Sequence, residues 1–337
     1  MAQLLIELAA MLLVILVAAE LFTNALEHLG EQLKISEGVT GSLFAAVGTA
    51  LPETLVPLLA LFAGTGSVSI NEEIGVGAIL GAPLMLSTLS TCLMALAILR
   101  SRGISGFIAP ERTGFTRDLN FFLLAFAVAA VAMYVPQDAR AIRIALSFTL
   151  VLTYFIYILL TVRASSKLVE SGHGTAADAK MLFARIGLPQ HFFTILLQLA
   201  VGLGLLVFGA KGFIHGVAGV SALLGISALL LSLLIIPIAT ELPEKVNSIL
   251  WIRRDKDTLA FGNITGAMVF QGTLLPAIGI MLTPWQPRIE VLSGVAVTLL
   301  AAAWLRANVR ERGMPVWVLL GNGVLYAVYL AITLSRS

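Results

Sequence analysis

Charged residues are scarce in this 337-residue chain, at 12% of the total; a soluble domain carries roughly 25%. That shortage, with 58% hydrophobic residues and a mean hydropathy of +0.97, excludes an ordinary water-soluble fold. Cysteine is scarcer still. Cys92 stands alone, which excludes an internal disulfide and any cysteine-based metal centre. The four histidines, His28, His173, His191 and His215, form no H-E-x-x-H array, so the signature of a metal-dependent intramembrane protease is missing. No enzyme activity, resident cofactor, nucleic-acid partner or protein partner is expected. The opening segment MAQLLIELAAMLLV lacks a basic start and carries Glu7, unlike a cleavable signal.

Long apolar runs fill the space that charge leaves. A membrane-spanning helix needs about 20 apolar residues. Ten candidate spans lie near residues 4–28, 38–62, 75–99, 119–135, 142–162, 192–215, 228–251, 260–282, 290–306 and 315–333. The expected fold is an all-α integral membrane protein whose main surroundings are lipid. With ten spans, 15 Lys and Arg fall in loops on one side, from Lys34 to Arg312. Only four, Arg140, Arg143, Arg288 and Arg336, fall on the other. The positive-inside rule then predicts both termini outside the cytoplasm. The compact chain fits a bacterial or archaeal plasma (inner) membrane.

The polar stretch from Val162 to Gln190 divides the chain near its middle. The expected organisation is a first five-helix repeat over 1–163, a cytoplasmic linker over 164–190, and a second repeat over 191–337. At an offset of 191 residues, KISEGVTGSLFAAVGTALPE (Lys34 to Glu53) falls on GISALLLSLLIIPIATELPE (Gly225 to Glu244). Thr49 meets Thr240, Pro52 meets Pro243, and Glu53 meets Glu244. Each motif is followed by a G-x-x-x-G-A segment, GAILGA (Gly77 to Ala82) and GNITGA (Gly262 to Ala267). Five spans per repeat is odd, so the second repeat enters from the opposite face. Inverted repeats of this kind place ligand sites at the midplane, where broken helices meet.

The motif places oxygen donors at that depth. Proline lacks an N–H and displaces the carbonyl of residue i−4. Pro52 should free the carbonyl of Gly48 and Pro243 that of Ala239. Beside them stand the hydroxyls of Thr49 and Thr240 and the carboxylates of Glu53 and Glu244. Oxygen ligands are what hard cations such as Ca²⁺ take. Each glutamate lies roughly 14–15 Å inside its span at 1.5 Å per residue, near the middle of a core about 30 Å thick. A charge there costs at least ~2.5–3.5 kcal/mol unless compensated, so it reads as functional. The G-x-x-x-G-A segments read as close helix packing. Asn263, inside the second, is either a ligand or a helix-to-helix hydrogen bond.

GTALPE and ATELPE, each followed by G-x-x-x-G-A in the next span, resemble the two α-repeats of the cation/calcium exchanger superfamily, most nearly the sodium/calcium exchangers. The resemblance covers the motif regions 48–83 and 239–271 and the ten-span layout. It implies an antiporter moving Ca²⁺ against Na⁺ by alternating access, with inorganic cations as its partners. It implies Glu53 and Glu244 as central ligands, Thr49 and Thr240 at flanking ion sites, and Gln271 as a weaker carry-over. The chain also departs from the pattern. The family's Asn or Asp in the second segment falls at Pro83 and Met268, and the motif serine at Ala50 and Glu241. Glu241 is thus either a replacement ligand or half of an i,i+4 pair with Lys245. A cation/H⁺ exchanger and an exchanger fold with altered or lost ion specificity are the alternative functions.

Other polar residues read as peripheral. Glu20 and Lys211, equivalent in the repeats, pair or face a polar crevice. Glu27, His28 and His215 are expected at the interface, and Glu72 and Glu73 in a solvated outer loop.

Overall fold

The computed structural model describes residues 2–32, 45–169 and 180–335. The centre of the expected linker, 170–179, lies outside them, as do Lys34, Ile35 and Ser36 of the first motif. The chain is almost wholly helical. In order it forms α1 (Ala2–Gln32), α2 (Ala45–Ala63) and α3 (Val68–Met85), then a π-helical turn (Leu86–Ser90) and α4 (Thr91–Arg102). A two-residue strand β1 (Phe107–Ile108) leads to α5 (Arg112–Ala132), α6 (Arg140–Val169) and the short α7 (Leu182–Arg185). The second half holds α8 (Phe192–Leu224), α9 (Ala228–Thr240), α10 (Leu242–Arg253), α11 (Asp257–Leu282) and α12 (Ile289–Asn308), followed by β2 (Met314–Pro315) and α13 (Val316–Leu334).

Among the described residues, 8 helical stretches are long and apolar enough to cross a membrane alone. The α3–π–α4 stack, Val68–Arg102, is one of them. The shorter α2, and α9 with α10 as one broken span, complete the ten-helix architecture.

The repeats are inverted because their equivalent helices run antiparallel. Residue i of α1 corresponds to i+191 in α8. Yet Gly202 faces Phe22, Gly209 faces Ile15, Gly212 faces Met11 and Gly219 faces Leu4, so numbering rises along one helix as it falls along the other. Glycine makes this approach possible. A Cβ at Gly212 would sit 2.5 Å from the Met11 sulfur. Glu20 and Lys211 do not face each other in this register; both are exposed, and neither pairs with the other.

The first G-x-x-x-G-A segment brings α3 against α9. A Cβ at Gly77 would lie 2.7 Å from the Leu229 carbonyl, and one at Gly81 would lie 2.7 Å from Pro237 Cγ. Small residues here let two backbones touch, as the sequence implied. Behind this contact, a large core gathers Leu80, Leu86, Phe122, Phe126, Met268, Trp285 and Leu319 from α3, the π turn, α5, α11, the loop after it and α13.

Three expectations change. The third span starts at Val68, so Glu72 and Glu73 are helical, and Glu73 Oε1 accepts from Arg288 Nη1 at 2.5 Å. His28 is buried, 3.1 Å from Gln190 Nε2 through Nδ1. The motif prolines act differently in the two halves. α2 runs unbroken through Pro52 and Pro57, whereas the second copy breaks between Thr240 and Leu242.

Candidate cation site

The break in the second motif is where the site forms. α9 ends at Thr240, Glu241 caps it, and α10 begins at Leu242 with Pro243 in its first turn. Proline is tolerated there because the first N–H groups of a helix have no intrahelical partner. Glu244 also occupies that first turn, where the positive end of the helix dipole favours a carboxylate. From the opposing repeat, α2 supplies Glu53.

Glu53, Glu241 and Glu244 offer carboxylate oxygens that all lie within 4.8 Å of one another. All three side chains are buried, Glu241 completely. Both oxygens of Glu53, Oε2 of Glu241 and Oε2 of Glu244 are buried with no hydrogen-bond partner, as is Oε1 of Gln271. Buried acceptors are normally satisfied, and each exception calls for an explanation such as an ion or water. Here the exceptions converge on one point at the junction of the two repeats.

Neighbouring groups orient the ligand candidates. Gln271, on α11, donates from Nε2 to Glu241 Oε1 at 2.5 Å, which leaves its own oxygen free. Thr240 is buried and its hydroxyl donates to the Ile236 carbonyl at 3.2 Å; its lone pairs remain acceptors. Asn263 donates from Nδ2 to the Glu244 carbonyl at 3.1 Å and to Ser248 Oγ at 3.0 Å. Of the two readings of Asn263, the structure contains the helix-to-helix bond, which fixes α10 against α11. The side chains of Thr49 and Ala239, and the surroundings of Gly48, lie outside what the structure describes. Pro83 and Met268 are buried apolar groups, Met268 within the main core.

Sequence reasoning gave Lys245 only as a partner for Glu241. The structure turns it elsewhere: Nζ donates to the Pro237 carbonyl at 2.9 Å and lies 3.0 Å from the Met85 sulfur. A buried cation one residue from the motif glutamate was the available signal; nothing in the sequence pointed to Met85. Asp118, a buried carboxylate on α5 that accepts from Thr265 Oγ1 at 2.7 Å, also went unremarked. It ties α5 to the GNITGA segment, away from the three glutamates.

An inverted pair of helical repeats that meets at buried carboxylates defines a membrane protein of the secondary-transporter class. The model of the sodium/calcium exchanger protein family matches residues 4–163 and 194–335, and the chain belongs to that family. It is 25% identical over 335 residues to the inner membrane protein YrbG of Escherichia coli (strain K12), covering 95% of this chain and 94% of that one. The putative antiporter CaxA of Alkalimonas amylolytica is 24% identical over 276 residues, 81% of this chain and 79% of CaxA. The fold resembles that of the H⁺/Ca²⁺ exchanger CAX, with a TM-score of 0.71 at 17% identity, covering 98% of this chain and 87% of that structure. The sodium-calcium exchanger NCX_Mj gives a TM-score of 0.58 at 18% identity and 98% coverage of both chains.

Proposed function

We propose that this protein is a secondary active antiporter that exchanges Ca²⁺ for Na⁺ by alternating access at the Glu53–Glu241–Glu244 site. One observation carries the reading: three buried carboxylates converge with four of their oxygens unpartnered. Three such charges repel one another and are costly at this depth. A bound cation relieves both penalties, and the donor set is all oxygen, as hard divalent cations require. Calcium takes six to eight oxygens. The carboxylates supply several, with Gln271 Oε1, the Thr240 hydroxyl, water and freed backbone carbonyls near Gly48 and Ala239 completing the shell. Thr49, the counterpart of Thr240, belongs to the same proposed set. Glu241 supplies the acid that the positions of Pro83 and Met268 do not.

In this reading the halves 1–163 and 191–337 are the moving units, joined by the cytoplasmic linker 164–190. The protein sits in the plasma membrane with both termini outside the cytoplasm. The test is ⁴⁵Ca²⁺ uptake into proteoliposomes under an outward Na⁺ gradient, then under a pH gradient, beside Glu53→Gln and Glu244→Gln. Na⁺-driven uptake, lost in both variants, is the expected result. Uptake driven by pH alone makes H⁺ the counter-ion. Absence of uptake under both gradients refutes calcium antiport.

A further inference from the structure

Lys245 is a permanent feature of a site that would otherwise hold only acids. Its side chain is buried, 5% exposed, and its ammonium is not paired with Glu53, Glu241 or Glu244. It lies against the Pro237 carbonyl, in the last turn of α9 before the break, with the Met85 sulfur as its other neighbour. Sulfur is a weak acceptor, so the carbonyl is the principal partner. Carbonyls at the C-terminal end of a half-helix carry the negative end of its dipole. In broken-helix transporters such ends coordinate monovalent cations. The Pro237 carbonyl also accepts the Glu241 N–H at 3.2 Å, so the ammonium takes its second lone pair, where a loosely bound Na⁺ would sit, and it carries the same charge.

We propose that Lys245 is a tethered cation that takes the place of one transported monovalent ion and fixes the coupling ratio of the exchanger. The inference rests on the antiport reading of the site. With the three carboxylates ionised around a bound cation and Lys245 as its ammonium, the site carries two negative charges. One divalent cation neutralises them, and so do two monovalent cations. The two occupied states then carry equal charge across the membrane, and exchange is electroneutral whether the counter-ion is Na⁺ or H⁺. Without the lysine the site holds three negative charges. A third monovalent ion is then required on the return step, and each cycle moves net charge.

The geometry makes the exchange of roles specific. Lys245 follows Glu244 on α10, so its charge travels with the second-half ligands. Met85 closes α3, immediately before the π-helical turn at Leu86–Ser90. Gly81, one turn earlier, brings that stretch of α3 against Leu233 and Pro237. The ammonium is thus enclosed between α3 and the end of α9, where water cannot readily replace it.

The experiment compares wild type, Lys245→Met and Lys245→Arg, each reconstituted at full length. ⁴⁵Ca²⁺ flux is measured with the membrane potential clamped at zero and then at negative and positive values by a K⁺ gradient with valinomycin. Calcium-dependent thermal stabilisation is recorded for each protein. Wild type and Lys245→Arg are expected to show flux independent of potential. Lys245→Met is expected to show flux that changes with potential as one charge per cycle requires, roughly tenfold over about 60 mV, with one additional monovalent ion moved per Ca²⁺. Electrogenic flux in the wild type, or flux equally independent of potential in Lys245→Met, overturns the inference while leaving calcium antiport intact. If Lys245→Met is stabilised by Ca²⁺ yet carries none, the lysine is a mechanical part of the cycle, which also overturns it. Wild type that neither binds nor carries Ca²⁺ removes the antiport reading and the inference together.

Discussion

Glu241 is the residue at which this chain departs most instructively from its family's motif. A glutamate replaces the small hydroxyl residue between threonine and leucine, and the sequence left two readings, ligand or partner of Lys245. Lys245 donates to the Pro237 carbonyl, while Glu241 lies beside Glu53 and Glu244 and accepts from Gln271, which supports the proposed ligand reading. A buried carboxylate in a like-charged group raises the energy of the cation-free protein. Glu241→Gln keeps the shape and the contact with Gln271 but removes the charge. The variant is expected to be at least as stable as wild type in chelator, yet to bind Ca²⁺ at least tenfold more weakly, about 1.4 kcal/mol. Thermal unfolding with EDTA and across a calcium titration reads both effects. A variant destabilised in chelator with unchanged calcium affinity would make Glu241 a structural residue. The meeting of Glu53 and Glu244 was legible from their equivalent depth in the two repeats. Lys245 and Met85 were not, because their role depends on which way α10 and α3 turn.

At the scale of helices, prolines and glycines in the motifs announced special backbone but not which copy would use it. Pro52 and Pro57 leave α2 continuous, whereas α9 ends before Pro243, the counterpart of Pro52; Pro57 and Pro237 have no proline counterparts. The residue at the joint differs: Ala50, a strong helix former, stands where Glu241 is drawn towards Gln271 on a neighbouring helix. Local propensity and tertiary pull thus act together in one copy and oppose each other in the other. The G-x-x-x-G-A reading was firmer, because close helix approach needs small residues wherever it occurs. Gly81 meets the Leu233 backbone and the ring of Pro237, neither of which can swing aside. Gly81→Val is therefore expected to push α3 from α9 and cost roughly 1–3 kcal/mol. It also displaces Met85 and Lys245, so transport should fall by more than the fraction unfolded. Gly66→Ala, where a Cβ meets nothing within 4 Å among the described residues, is the matched control. Equal thermal stability and equal flux in the two variants would show that the α3–α9 contact is unimportant.

Across the whole molecule, the long-range loop contacts among the described residues respect the parity of ten spans. β1 and β2 pair between the loops after the third and ninth spans, both odd-numbered. Arg102, at the end of α4, donates to both oxygens of Asp257, at 2.9 and 2.8 Å, and to Asp255 at 2.7 Å, joining that face to the loop after the seventh span. On the other face, Arg288 reaches Glu73, and Arg143 donates to the Thr283 carbonyl at 2.6 Å and the Pro284 carbonyl at 3.2 Å. A span miscounted between the two partners of a pair would have placed one of them across the membrane. The arrangement was legible because hydropathy and charge asymmetry are whole-chain signals that survive local irregularity. The basic loops gather on the face of Arg102 and the β ribbon, which supports the proposed cytoplasmic side. In a Cys92→Ser background, Gln137→Cys should react with a membrane-impermeant maleimide in intact cells. Glu311→Cys should react only after the membrane is opened. Both positions are exposed, so labelling reads sidedness rather than burial. The reverse pattern would invert the proposed orientation while preserving the fold; the direction of Ca²⁺ movement, set by the ion gradients, would stay the same. Labelling of both from the same side would break the ten-span parity itself, and with it the placement of Glu53 and Glu244 at one depth from opposite faces.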